Sequence, residues 1–156
     1  MRKRRQFWFD DFRFRLKFER GIRRGGIYFV DEYLRDPRRL RYRFDIEVPV
    51  YDDRRRVAVE FPLPNGPANP IVHLDGPPCL RHRWDQDGSL CMWLESDPPT
   101  AKWVPGDGLL KLVAHIEEHA FCEQECRLGK PWPKEESPGE HPRKRKCPSC
   151  RGQGSP

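Results

Sequence analysis

The sequence predicts an α+β domain, and three observations carry that expectation. Tyr42, Phe44, Ile46, Val48 and Val50 alternate with Arg43, Asp45 and Glu47, the period of a half-buried strand ending near Pro49. Beyond an Asp52-Asp53-Arg54 turn, Val57, Val59 and Phe61 alternate with Ala58 and Glu60, which makes a hairpin partner. Leu109, Leu112, Val113, Ile116 and Ala120 recur at helical spacing, so 109–122 reads as an amphipathic helix with Asp107 as its cap.

The remaining elements follow from local chemistry. Residues 7–20 read two ways: Phe12, Phe14, Leu16 and Phe18 alternate like a strand, while Trp8, Phe12 and Leu16 share a helix face. The Gly21 to Gly26 region is expected to break whichever forms. Pro62, Pro64, Pro67 and Pro70 lack ladder donors and exclude regular structure over 62–70. Ile71 to Leu74 is a short third strand. An irregular stretch over 75–108 holds Cys91 and the tryptophans Trp84, Trp93 and Trp103. Past Gly129 the chain is rich in Pro, Glu, Lys and Arg, a composition of poor order. The chain therefore divides into a basic segment over 1–40 (part of the domain or an arm), a core over 41–126, and a Pro-rich basic tail over 127–156.

At 156 residues, one domain plus extensions is expected. The charge is unevenly spread. Residues 1–43 hold 15 Lys/Arg against 6 Asp/Glu, residues 44–126 hold 7 against 15, and residues 127–156 hold 8 against 3. A nucleic-acid reader places its positive charge on the folded face that reads, whereas here the middle is acidic, so nucleic acid is not an expected partner of the core. No apolar run reaches 18 residues, so no membrane helix is expected. The basic start, Met1 to Arg5, runs into mixed aromatic and charged residues rather than a secretory apolar segment. A soluble, cytoplasmic protein is the expectation.

Six cysteines suit disulfides only in a secreted chain; here reduced thiols, a metal site or a catalytic thiol are favoured. Cys122-x3-Cys126 and Cys147-x2-Cys150 together have the four thiolates of one tetrahedral zinc, and the second pair has the composition of a zinc knuckle. The alternative is a tail with incidental thiols, and spacing alone leaves both open. No other cofactor is required by the sequence.

Cys91 stands just after an Asp87-Gly88 turn and ahead of the helix, where a thiol can accept an acyl group and pass it on. A free thiol with a pKa of about 8.5 is a few per cent thiolate at neutral pH, enough when the acyl group arrives already activated. The competing reading is a buried structural cysteine. His82 either orients this loop or is a loop histidine satisfied by its neighbours. His73 sits on a strand and reads as structural. Trp93 and Trp103 read as packing, and Trp84 as a contact for an incoming chain. His115 and His119, at i and i+4, read as solvent-facing.

The order of these features resembles the ubiquitin-conjugating enzyme (UBC) family in its divergent prokaryotic branch. The resemblance covers about residues 40–122. It rests on the strand meander, Phe61-Pro62 entering a Pro-rich turn, Asn69-Pro70 before the third strand, and a loop carrying His82. Gly88-Ser89-Leu90-Cys91, Trp103, and Asp107-Gly108-Leu109-Leu110 opening a helix complete it. It implies an antiparallel β-meander with flanking helices and an active-site Cys91 on the loop before a central helix.

It further implies a transferase that forms a thioester on Cys91. An adenylating (E1/ThiF-like) enzyme would charge it with the C-terminus of a ubiquitin-like protein or of a cyclic-oligonucleotide synthase (a nucleotidyltransferase), and a target lysine would receive the group. The family's His-Pro-Asn is replaced by His82-Arg83-Trp84, so His82, a backbone N–H or Arg83 must serve the oxyanion. Gly129-Lys130-Pro131-Trp132-Pro133 with His141 beyond is similar to bacterial relatives in antiphage (CBASS-type) and ubiquitin-like conjugation operons. Three rival readings stand beside this one: an inactive UBC-like protein-binding module, a zinc-containing nucleic-acid-binding protein, and a cysteine hydrolase.

Overall fold

Asp11 starts the first helix. Its side chain accepts hydrogen bonds from the backbone N–H groups of Arg13 (3.0 Å) and Phe14 (3.2 Å), donors that a helix start leaves open. The computed structural model describes residues 8–36, 38–62, 70–79, 82–84, 86–93 and 97–134. Within them, helix α1 (Phe12–Arg24) follows a single 3₁₀ turn at Trp8–Asp10, so the ambiguous stretch is helical. Its buried face is Phe18, Glu19 and Ile22, while Phe12 and Leu16 stay exposed. Trp8 packs on the core from the turn before the helix, and the stripe through Phe12 and Leu16 is on the solvent side. The buried Glu19 that displaces it is matched by Arg15, Arg23 and the Tyr42 hydroxyl, which donates to it at 2.9 Å.

The helix ends within the Gly21 to Gly26 region as expected, but Gly21 itself stays helical. A Cβ there would lie 2.8 Å from Leu110 Cβ of the second long helix, so the glycine marks a close helix–helix approach. The break comes only at Gly25 and Gly26, the latter at φ +71°.

Four antiparallel strands follow in chain order: β1 (Phe29–Arg35), β2 (Arg38–Glu47), β3 (Arg54–Pro62) and β4 (Ile71–Leu74). Strand β1 went unread in the sequence because Asp31 and Glu32 interrupt its apolar alternation. Strand β2 starts and ends earlier than its alternation implied, since the chain turns at Pro49 and Val50, with Val50 at φ 70°. The register places Leu40 opposite Phe61, Tyr42 opposite Val59 and Phe44 opposite Val57. Val59 and Val57 in turn face Val72 and Leu74, so one sheet face is continuously apolar. The other face carries charge: Glu60 sits between Arg39 and Arg41, and Glu32 pairs with Arg43 at 3.3 Å. Burial opposes ionisation of Glu60, yet those two arginines hold its carboxyl below the usual range.

Helix α2 (Gly108–Arg127) covers the apolar face beside α1. Leu109, Leu112, Val113, Ile116 and Ala120 are buried there as expected. The helix runs five residues beyond the expected end, because its buried stripe continues as His119, Glu123 and Cys126. The protein is thus an α+β domain built on a four-stranded antiparallel meander and two helices. Among the described residues, no helix is long and apolar enough to cross a membrane.

Candidate functional site around Cys91

The chain leaves β4, and a short ribbon brings it back to Cys91. Leu90 N–H donates to the Val72 carbonyl on β4 (2.8 Å), and Trp84 N–H donates to the Ser89 carbonyl (2.8 Å). An isolated bridge joins Arg83 to Leu90. The turn between them is shaped by Gly88 at φ 72° and by Asp87, whose carboxylate accepts from the Ser89 N–H (2.9 Å) and hydroxyl (2.6 Å). Burial works against the Asp87 charge, but these two bonds hold its carboxyl below the ordinary value. Cys91 N–H then donates to the His82 carbonyl at 2.8 Å. Cys91 and His82 are therefore brought together, through backbone.

Their side chains face different surroundings. Cys91 is 7% exposed, and burial, reinforced by the negative charge of Asp97, pushes its thiol up to about 11. The His82 ring is buried and stacks on Trp132, with ring centroids 3.6 Å apart. That contact engages the imidazole face in packing.

Arg83 is not available to a developing oxyanion. Its Nε and Nη2 donate to the two carboxylate oxygens of Glu123 (2.8 and 2.9 Å), and Nη1 donates to the Leu74 carbonyl (2.8 Å). Both partners are buried. Burial alone would raise the Glu123 carboxyl, but Arg83 first and His119 second hold it down at about 2. His119 Nε2 stands 3.7 Å from Glu123 Oε1. The pair locks the loop start at residue 83 onto α2.

Trp103 and Trp93 pack as expected, whereas Trp84 is half-buried like Trp93 rather than exposed. Trp103 is buried, and its Nε1 donates to the Gly108 carbonyl (2.8 Å), fixing the chain where α2 begins. Trp93 is half-buried, edge-on to His115 at 6.0 Å. Asp107 accepts from the Val104 N–H instead of capping α2 with its side chain.

The expected solvent face of His115 and His119 is corrected. His119 is 5% exposed and meets the Trp132 ring edge-on at 5.3 Å; His115 is half-buried, and burial lowers its pKa. The cause is the segment after α2, which folds back along it. Lys130 pairs with Glu125 and Lys134 with Glu118, each at 2.8 Å, and they carry Trp132 between them.

Cys122 is a free, buried thiol, pushed by burial up to about 11. The sulfur that meets Cys126 belongs instead to Cys79, at 3.4 Å. Among the described residues, no three His, Cys, Asp or Glu side chains converge on one point as a metal site would require. Cys147, Cys150 and His141 lie outside the described residues. An open groove of about 940 Å³ lies elsewhere, over Ile27, Tyr28, Arg43, Ala58, His73 and Glu117, and neither Cys91 nor His82 lines it.

Sequence reasoning missed three participants: Glu123, Trp132 and Cys79. The first was legible. Glu123 follows Ile116 by seven residues and His119 by four, so it falls on the buried stripe of α2, where a charge needs a partner.

No family model, curated protein or solved structure matches this chain.

Proposed function

We propose that this chain is a ubiquitin-conjugating-type acyl carrier of the prokaryotic kind, with Cys91 as the thioester cysteine. The observation that carries the reading is an order of elements. A helix, a four-stranded meander, a cysteine loop pinned to the last strand, and a helix whose entry is fixed by a buried tryptophan follow one another in the chain. In the reaction, the Cys91 sulfur attacks the acyl carbon of a thioester on an adenylating (E1/ThiF-like) partner. The new C–S bond forms, the bond to the partner's sulfur breaks, and that sulfur takes up the proton that Cys91 gave up. A lysine amine on a target then displaces Cys91. The acyl group is the C-terminus of a ubiquitin-like protein or of a nucleotidyltransferase. ATP is spent by the partner, so this chain needs no phosphate loop. Arg83 is committed to Glu123, and the N–H groups of Trp84, Gly88, Ser89, Leu90 and Cys91 already donate within the ribbon, so none of these is the donor to the oxyanion.

One observation favours a second reading. The burial of Cys91, with its thiol at about 11, suits a UBC-like module that binds proteins without using the thiol.

The two readings part in the native cell. Epitope-tagged wild type and Cys91→Ser are run on gels with and without thiol reductant, and shifted bands are identified by mass spectrometry. The acyl carrier gives a reductant-sensitive adduct in the wild type and a reductant-resistant ester in the serine variant. An adduct in neither, with the native operon expressed, leaves the binding module.

A further inference from the structure

Helix α2 stops at Arg127, and Gly129, at φ 80°, turns the chain back along it. The Lys130 N–H still donates to the Glu125 carbonyl (3.1 Å), but beyond it the attachment changes character. Pro131 and Pro133 have no N–H to give. Among the described residues, no backbone hydrogen bond ties 131–134 to the rest of the domain. One aromatic ring and two ion pairs hold this strap. The pairs, Lys130 with Glu125 and Lys134 with Glu118, have half-exposed lysines, so water and salt screen them and each adds little. A segment held this way belongs to the part of a fold that opens at low cost.

The ring sits on what anchors Cys91. Trp132 stacks on His82 at 3.6 Å, meets His119 edge-on at 5.3 Å, and packs on Cys79 and Cys126. His82 is in turn the residue whose carbonyl accepts the Cys91 N–H at 2.8 Å. On the other side of the cysteine, Trp93 rests edge-on against His115, whose pKa is lowered by burial first and by the charge of Lys134 second. The strap therefore runs beside His82, before the cysteine, and beside the Trp93–His115 contact, after it. Cys91 between them is almost fully enclosed.

We propose that residues 130–134 are a gate over the Cys91 segment. With Trp132 seated on His82, the segment is clamped and the sulfur is shut in. With Trp132 released, His82 loses its cover, the segment shifts, and the sulfur meets solvent. As regulation this rests on the reading of Cys91 as the thioester cysteine, because a partner bringing an acyl group then has to displace the strap or wait for it to open. The enclosure of the thiol by the strap is a property of this chain alone.

The full chain is labelled with iodoacetamide at about pH 8, where a measurable thiolate fraction exists, and Cys91 is followed by peptide-resolved mass spectrometry. Trp132→Ala is expected to label Cys91 about tenfold faster than wild type or more. The double variant Lys130→Gln/Lys134→Gln should label it about two- to tenfold faster. Raising the salt from about 0.05 M to about 1 M should speed the wild type and leave the lysine variant unchanged. Urea unfolding of the same proteins is the control, because a merely destabilised domain labels faster only in proportion to its unfolded fraction. Should Trp132→Ala fail to fold, the lysine variant and the salt series still decide. A Trp132→Ala rate within about twofold of wild type, an increase no larger than the unfolded fraction explains, or a wild-type rate indifferent to salt would overturn the gate. Labelling needs no partner. Absence of a cellular adduct therefore removes the acyl carrier and leaves the gate, whereas an unchanged labelling rate removes the gate and leaves the acyl carrier.

Discussion

Replacing Arg83 with methionine is expected to destabilise the domain by about 3–5 kcal/mol, because it leaves the Glu123 charge buried without its partner. For a chain of this size that corresponds to a fall in Tm of roughly 10 °C. The variant also loses the donor to the Leu74 carbonyl, leaving the backbone bond from Leu90 to Val72 to hold the Cys91 ribbon on the last strand. Pairing Arg83→Met with Glu123→Leu removes both charges and should recover most of the loss. The pH dependence supplies the sign. Glu123 is held at about 2, below its unfolded value, so its contribution is present above about pH 4.3 and disappears as pH falls toward 2. Urea unfolding of the two variants and the wild type at pH 7 and pH 3 measures all of this. A single variant within about 1 kcal/mol of wild type would show that the pair carries no such weight.

Alkylation of Cys91 in the isolated protein is expected to titrate with an apparent pKa of about 11. At pH 7.5 an ordinary thiol is about ten per cent ionised, and a thiol near 11 is roughly 300-fold less so. Burial is the main cause and Asp97 the second, so Asp97→Asn should lower the apparent pKa. The linkage has the opposite sign to that of Glu123. A thiol raised by folding contributes stability below its unfolded pKa of about 8.5 and loses it as pH rises toward 11. Peptide-resolved mass spectrometry of iodoacetamide labelling between pH 7 and 11 provides the curve. An apparent pKa near 8.5 would mean that the thiol is not shielded as described. For the acyl carrier, a high value means that charging waits on contact with the partner to uncover the sulfur.

Much of the sheet and the second helix was legible because one-sided burial imposes a period. Val57, Val59 and Phe61 can face the core only if the strand alternates, and Leu109 through Ala120 only if the helix turns. The first helix was harder, since Phe12, Phe14, Leu16 and Phe18 satisfy both periods. What decided it was a carboxylate, Glu19, buried against Tyr42 of β2, a partner 23 positions away that no local pattern reveals. The place of Gly21 inside the helix is non-local in the same way. Its meaning lies in Leu110, contributed by the far end of the domain.

At the candidate site, Cys91 and Trp103 were marked by their neighbours in the chain. The cluster of His82, His119 and Trp132 was not, because it depends on the return of residues 130–134 along α2. The pairing of Cys79 with Cys126 joins two distant segments, and CxxC-type counting favours cysteines that are close in sequence.

The meander sets an order of assembly. Each strand pairs with its neighbour in the chain, so every pairing closes a short loop at little entropic cost. The contact of Gly21 with Leu110 joins the two ends of the domain and becomes cheap only after the sheet has bridged the interval. Docking of α1 on α2 is thus expected late on the folding route. Substitutions at that seam should accelerate unfolding and hardly change the folding arm of a denaturant chevron. A slowed folding arm instead would place the seam in the nucleus.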